Sequence, residues 1–530
     1  MKTFLLASAC LLLASGASLP AVASSTAALA SVSPDSLARY QEHGTNASLI
    51  GRGFDQALFT FTLPMAVGST LESVMIDLSG TSRIKDVRQL KLYRTKNKDR
   101  FDHRTPGQLV ASAPVKRASR VKLDLSPRTT ISSDDAFWVV CDIAPSAQEG
   151  GEVVSRLSAL KTSSYELATL PDAKEHRHGI VLQRSLVWAP GEGGSLHYRI
   201  PGVVRLSDGT LVASIDRRKK NVNDLPGDID VEIKRSIDDG KTWSAPITVA
   251  RGTAEHGYGD AAMATDGRTI YMVMVGGAGL WTYPSISKQP SQMYFTKSQD
   301  GGKTWSPLKE ITKEAYDKYA WGGFFASGNG IVTSRGRIVF VAAQRVESSW
   351  GGEMDNVLVY SDDQGKSWKV SAPARHNGDE SKVVELSDGS LLVSSRNRAF
   401  GANARTFILT KDGGKTWTPE ATWPELTGNA CNGAFARYAP VGKSKYSGYL
   451  LHTLPASPNR DHLRLFLSQD EGKTWPISRE ICRGEAVYSE VVIMSDGTIG
   501  IISEENDKPG FDIYFTRVSL DWLLRGDQKK

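Results

Sequence analysis

The sequence predicts an all-β chain in two parts, a jelly-roll-like β-sandwich followed by a six-bladed β-propeller, on three observations. At 530 residues the chain is longer than one hydrophobic core usually supports. Between about residues 31 and 170, apolar and polar residues alternate in short runs separated by turn residues, the period of half-buried strands. Beyond that, one eight-residue motif recurs five times, and a long-period repeat outranks other signals of organisation. Composition agrees: 40% hydrophobic and 23% charged residues, with 12 Trp, 16 Tyr and 16 Phe, is material for packed cores rather than disorder.

The elements follow in chain order. Met1-Lys2-Thr3, the apolar run from Phe4 to Leu13 and the small-residue site Ala21-Val22-Ala23 read as an export signal over 1–23, so a secreted or periplasmic location is expected. Cys10 within that run is a weak lipidation signal. No later segment reaches the roughly 20 apolar residues of a membrane span. Residues 24–172 hold runs such as Leu58-Phe59-Thr60-Phe61, Val74-Met75-Ile76-Asp77-Leu78 and Phe137-Trp138-Val139-Val140, which read as sandwich strands. The polar stretch from Pro171 to Gly179 reads as the boundary, and the propeller is assigned to 173–530.

The repeat is S/T-x-D-x-G-K-S/T-W, at Ser236–Trp243, Ser298–Trp305, Ser361–Trp368, Thr410–Trp417 and Ser468–Trp475, with successive copies starting 49 to 63 residues apart. Asp and Gly make a tight turn while Trp packs back between strands. A unit of about fifty residues with four short strands cannot bury its own faces, so the units must stack radially as blades. The hairpin at Met494-Ser495-Asp496-Gly497 has no box after it, which implies a sixth blade closed by 511–522. The boxes are structural, and function must come from other residues.

His197-Tyr198-Arg199-Ile200-Pro201-Gly202 opens the second part. Tyr-Arg-Ile-Pro followed by five boxes resembles the bacterial exo-sialidases over residues 180–523. The substrate of that family is a nine-carbon sugar whose anomeric carbon bears a carboxylate. Arginine suits it, because a planar, permanently charged fork binds carboxylate in bidentate fashion. By resemblance the clamp is Arg199, Arg396 in Ser394-Ser395-Arg396-Asn397, and Arg460 in Asn459-Arg460-Asp461.

The same resemblance implies a retaining hydrolysis with a tyrosine nucleophile rather than a carboxylate. A carboxylate approaching a carbon that already bears one meets like-charge repulsion, whereas a neutral phenol does not. A phenol with a pKa near 10 needs a base beside it. The matching pair is Tyr488 and Glu380, with Asp379 and Glu385 as alternatives for the base. The acid/base matches Asp224 in the loop Lys219–Asp230, with Asp228 as the alternative. Glu504, or Glu505 beside it, matches the carboxylate that orients the first arginine; Ser503 departs from the family pattern. Arg218 and Asp260 match positions at the sugar's 4-hydroxyl, and Trp321, Met263 or Phe325 at its N-acetyl pocket.

The expected partners are sialylated glycans on glycoproteins, gangliosides and mucins. The formal charge of +6 is spread without a basic run, which gives no support to nucleic acid. The mechanism needs no cofactor and no metal, and a monomer is the default. Cys141, Cys431 and Cys482 allow one Cys431–Cys482 bridge or three buried thiols. The sandwich is either a carbohydrate-binding module or a packing spacer. The alternative functions are a trans-sialidase and a catalytically silent sialic-acid lectin, and a pure lectin has no use for Tyr488, Glu380 and Asp224.

Overall fold

The computed structural model describes residues 39–526 apart from 46, 118, 350, 399–401, 441–443 and 507–509. The leader 1–23 and Cys10 therefore lie outside the described residues.

The first part is two packed sheets. One has the strand order Gln41–Gly44, Gly53–Thr62, Ala136–Ile143, Val87–Thr95, Gln108–Pro114; the other has Leu49–Gly51, His176–Val181, Glu152–Thr162, Thr70–Asp77, Arg120–Thr130. Alternation works as expected in Arg120–Thr130, where Val121, Leu123 and Leu125 face the core between exposed neighbours. Ala136–Ile143 is buried on both faces. Phe137 and Val139 fill the sandwich core. Trp138 and Val140 pack on the opposite face with Tyr93 and Phe101.

The sandwich runs past the expected boundary at 172. His176–Val181 pairs antiparallel with Glu152–Thr162 and parallel with Leu49–Gly51. Two histidines gave this strand its linker-like look, yet both are core groups. His176 stacks on Phe59 at 4.6 Å and bonds Glu42, while His178 sets its ring nitrogens against the Ala47 and Leu58 carbonyls.

Six four-stranded blades follow. Blade 1 is His197–Arg205, Leu211–Arg218, Ile229–Ser236 and Ile247–Ala250 from inside to outside. Blade 6 starts from the later half of Ile477–Ile493 and continues through Ile499–Glu505 and Asp512–Val518. Its outermost strand is Gln183–Trp188, from the other end of the domain. The expected closure by 511–522 is corrected accordingly: Asp512–Val518 is the third strand, and the chain then turns into the short helix Leu520–Leu524. A strand borrowed from the opposite end locks the ring, because opening it would break a full ladder of backbone hydrogen bonds.

The five boxes have one geometry. The opening Ser or Thr hydroxyl donates to the Asp carboxylate at 2.8–2.9 Å and accepts from the Gly amide at 2.8–2.9 Å. The same carboxylate accepts the amide of the later Ser or Thr at 2.9–3.0 Å. Each box glycine has positive φ and lies against a neighbouring blade: Gly240 on Phe515 of blade 6, Gly365 on Phe295 in the strand Gln292–Ser298, Gly472 on Leu392 in the strand Leu391–Ser395. The boxes are thus inter-blade joints as well as turns. Cys141, Cys431 and Cys482 are buried thiols, so the Cys431–Cys482 bridge does not form. No described helix is long and apolar enough to cross a membrane.

Two glycines with the same φ of +84° separate the turn from the joint. A Cβ at Gly365 would stand 2.3 Å from Phe295, whereas one at Gly389 meets nothing within 4 Å. Gly365→Ala is expected to cost about 2–4 kcal/mol and Gly389→Ala only about 1 kcal/mol. Denaturant midpoints of the two variants check this, and equal losses would show that the box does not press on its neighbour.

Candidate active site

Three of the candidate residues, Arg199, Asp260 and Tyr488, stand on inner strands at points where the ladders break. The pairing of His197–Arg205 slips between Arg199 and Gly202, with Ile200 at φ +65°. That of Gly257–Thr265 slips between Gly259 and Ala262, with Asp260 at φ +51°. The strand bearing Tyr488 slips between Ala486 and Ser489. Such bulges re-aim side chains, and non-glycine residues at positive φ are strain that the surrounding structure must hold.

Tyr488 lies at the centre. Its hydroxyl donates to Glu380 Oε2 at 2.9 Å, and Arg396 Nη1 stands 3.3 Å from the same oxygen. Arg396 also pairs with Glu380, and its amide donates to the Glu380 carbonyl at 2.9 Å, so the hairpin fixes the base and the arginine together. The Arg199 guanidinium lies 5.5 Å from the Tyr488 ring and 5.0 Å from Phe511, and that of Arg460 lies 6.0 Å from Tyr488. The three predicted arginines therefore converge on one phenol.

Burial, and then the Glu380 charge, push the Tyr488 phenol well above its ordinary value, against Arg396 and Arg460. Burial also raises Glu380, with Arg396 opposing. The phenol is thus held neutral, and the carboxylate bonded to it is made a better proton acceptor. Burial works against the Arg199 charge, but Glu504 more than restores it.

Glu504 is fully buried. It accepts from Arg199 Nε at 2.9 Å, from the Ile200 amide at 2.5 Å and from the Tyr488 amide at 3.2 Å. Its neighbour Glu505 belongs elsewhere, bonded to Arg184 at 2.6 Å and to the Ser503 hydroxyl at 2.8 Å. The family departure at Ser503 thus serves Glu505. Glu385 accepts from Ser334, away from this cluster, while Asp379 stays at 3.8 Å from Arg396.

Across the pocket, Asp224 is 80% exposed at its side chain and pairs with the buried Arg218 at 2.7 Å. Asp228 pairs with Lys219 instead, 2.5 Å away. Asp260 is half-buried, and its amide lies 3.5 Å from the Asp216 carboxylate. Met263 and Phe325 are fully buried inside blade cores, so they do not line a pocket; Trp321 is half-buried beside Tyr283 at 5.8 Å.

Asp216 is the residue that sequence reasoning missed. It is buried two positions before Arg218 and reaches that guanidinium at 3.4 Å. A carboxylate ending the apolar run Leu211-Val212-Ala213-Ser214-Ile215 was the available signal. Burial pushes Asp216 up to about 7, with Asp224 adding and Arg218 opposing. Asp260 is also raised well above its ordinary value, by burial and then by Asp216. Two carboxylates this close do not both ionise readily.

The sign of the resulting pH effect follows from linkage. A carboxyl ordinarily near 3.8 that holds its proton to about 7 when folded contributes stability that is full below about pH 4 and lost as pH rises through about 7. Asp216→Asn cannot lose that proton. Its melting temperature relative to the parent should therefore climb between pH 4 and 8, and a pH-independent difference would contradict the assignment.

Residues 225–501 match the BNR repeat-like domain family. A sialidase of Bacteroides fragilis is 26% identical over 499 residues, covering 85% of this chain and 90% of that protein. A sialidase of Micromonospora viridifaciens is 31% identical over 354 residues, covering 63% of this chain and 53% of its own. Among solved structures, the Hadza microbial sialidase Hz136 superposes with a TM-score of 0.68 at 24% identity, over 91% of this chain and 99% of that one. The intramolecular trans-sialidase from Ruminococcus gnavus gives 0.53 at 17% identity, over 64% and 97%. Both structural likenesses speak to the fold.

Proposed function

This chain belongs to the BNR repeat-like domain family, and we propose that it is an exo-α-sialidase that releases terminal sialic acids from glycoproteins, glycolipids and oligosaccharides with retention of configuration. The observation that carries the reading is the Tyr488–Glu380 hydrogen bond of 2.9 Å beneath three converging arginines. Neutral sugars have no use for three cations, and a binding protein has no use for a phenol bonded to a base. The sialidase names of relatives that align over most of this chain support the same activity.

In this reading Arg199, Arg396 and Arg460 hold the substrate carboxylate, while Arg218 and Asp260 meet the ring hydroxyls on the far side. Asp224 gives its proton to the departing glycosidic oxygen as the Tyr488 oxygen bonds to the anomeric carbon and the phenolic proton passes to Glu380. Asp224 then takes a proton from water, whose oxygen displaces Tyr488 as Glu380 returns its proton to the departing phenolic oxygen. Two inversions make a net retention. Glu504 is a positioning residue that aims Arg199 and the backbone of Tyr488. The leader pattern at 1–23 supports export, and the chain acts as a monomer.

The test is hydrolysis of a fluorogenic N-acetylneuraminic acid glycoside, with proton NMR of the first-released anomer. The wild type should release the α-anomer first. A folded Tyr488→Phe should lose about 10³-fold or more in kcat, since the nucleophile is gone. Sialic acid binding without turnover, abolished in Arg199→Ala, would contradict the enzyme reading and leave a lectin.

A further inference from the structure

The sandwich and the propeller do not close completely on each other. Between them runs a cleft of about 590 Å³, with His43, Lys98 and Lys174 on the sandwich side and Asp461, Arg483 and Glu485 on the propeller side. That volume is within the range of small-ligand sites.

Its propeller wall adjoins the site around Tyr488 along the backbone. Asp461 directly follows Arg460. The Ala486 amide, next to Glu485, donates to the Arg460 carbonyl at 3.0 Å, and Tyr488 lies two residues further on the same strand. The sandwich wall is fixed in place. The Arg483 amide donates to Ser48 Oγ at 2.7 Å, the Ser519 amide to Glu149 at 2.9 Å, and buried Arg100 pairs with Asp512.

The lining has no apolar side chain. Lys98 and Lys174 are exposed, and among the described residues neither ammonium has a hydrogen-bond or ion-pair partner. The Arg483 side chain is 69% exposed. Beside these donors, Glu42, Asp99, Asp461 and Glu485 supply acceptors, so charges of both signs nearly cancel. Such a surface suits rings that present several hydroxyls, each both donor and acceptor, and offers nothing to an apolar group.

We propose that this cleft is the subsite for the aglycone, the neutral, hydroxyl-rich sugars that bear the terminal sialic acid, with the sandwich as one wall. The inference rests on the sialidase reading. It makes the sandwich part of the substrate cleft, in place of a separately tethered module or a spacer. Lys98 and Lys174 hold the second and later sugars and leave the sialic acid itself to the propeller.

The test compares two substrates in the intact chain, a sialylated tetrasaccharide and a small fluorogenic sialoside with an aromatic aglycone. In Lys98→Ala/Lys174→Ala, kcat/KM for the tetrasaccharide should fall about fivefold, mainly through KM, as expected for the loss of two solvent-exposed polar contacts. The fluorogenic substrate should stay within about twofold. Parallel changes on both substrates, or none on the tetrasaccharide, would overturn the subsite. Failure of the wild type to cleave either substrate would overturn the activity reading instead.

Discussion

The site depends on one buried carboxylate. Glu504 has no solvent of its own, and leaving such a charge without partners would cost several kcal/mol. Its partners come from both ends of the domain: Arg199 and the Ile200 amide from the first inner strand, and the Tyr488 amide from the inner strand of the last blade. The carboxylate is satisfied only when blade 1 lies beside blade 6. Closure of the ring and assembly of the arginine beside the phenol are therefore the same event. The strand Gln183–Trp188 secures it from outside, where Ser185 bonds the Gly240 carbonyl at 2.6 Å and ties the first box to the seam.

Around that anchor the pocket is divided by charge. Arg199, Arg396 and Arg460 gather at Tyr488, while Asp216, Asp224 and Asp260 gather around Arg218. The propeller interior beneath holds buried polar groups that pair across blades. Lys382 pairs with Glu490 at 2.9 Å, and Asn432 donates to the Ser327 carbonyl at 3.0 Å. Raised carboxyls, positive φ at Ile200 and Asp260, and broken ladders all cost stability, and they cluster where the chemistry is. The boxes, with their repeated hydrogen bonds and inter-blade glycines, supply rigidity elsewhere.

The repeat made the propeller legible, because a turn device that needs Ser, Asp and Gly at fixed offsets leaves its mark in sequence. Arg199, Arg396, Arg460, Tyr488 and Glu380 were legible for a different reason, since each stands in a short recognisable context. The closing strand was not, because nothing in Gln183-Arg184-Ser185-Leu186-Val187-Trp188 says which distant edge it will pair with. The sandwich boundary was misread at two buried histidines, since a polar residue satisfied inside a core looks like a linker residue on paper. Met263 and Phe325 face blade cores, and which face of a strand a residue takes depends on a register that their short apolar contexts do not reveal. Asp216 escaped notice because its role is to stand behind Arg218, with no motif of its own.

The central claim is that Tyr488, prepared by Glu380 and held by Glu504, forms the bond to the sugar. Trapping tests it directly. A fluorinated sialosyl fluoride, whose electron-poor ring slows both bond-making and breakdown of the intermediate, is incubated with the enzyme, and the labelled peptide is identified by mass spectrometry. The account predicts one sugar per chain, on the peptide bearing Tyr488 and on that residue. A label on Glu380 or Asp224, or steady turnover of substrate without any trapped adduct, would contradict it.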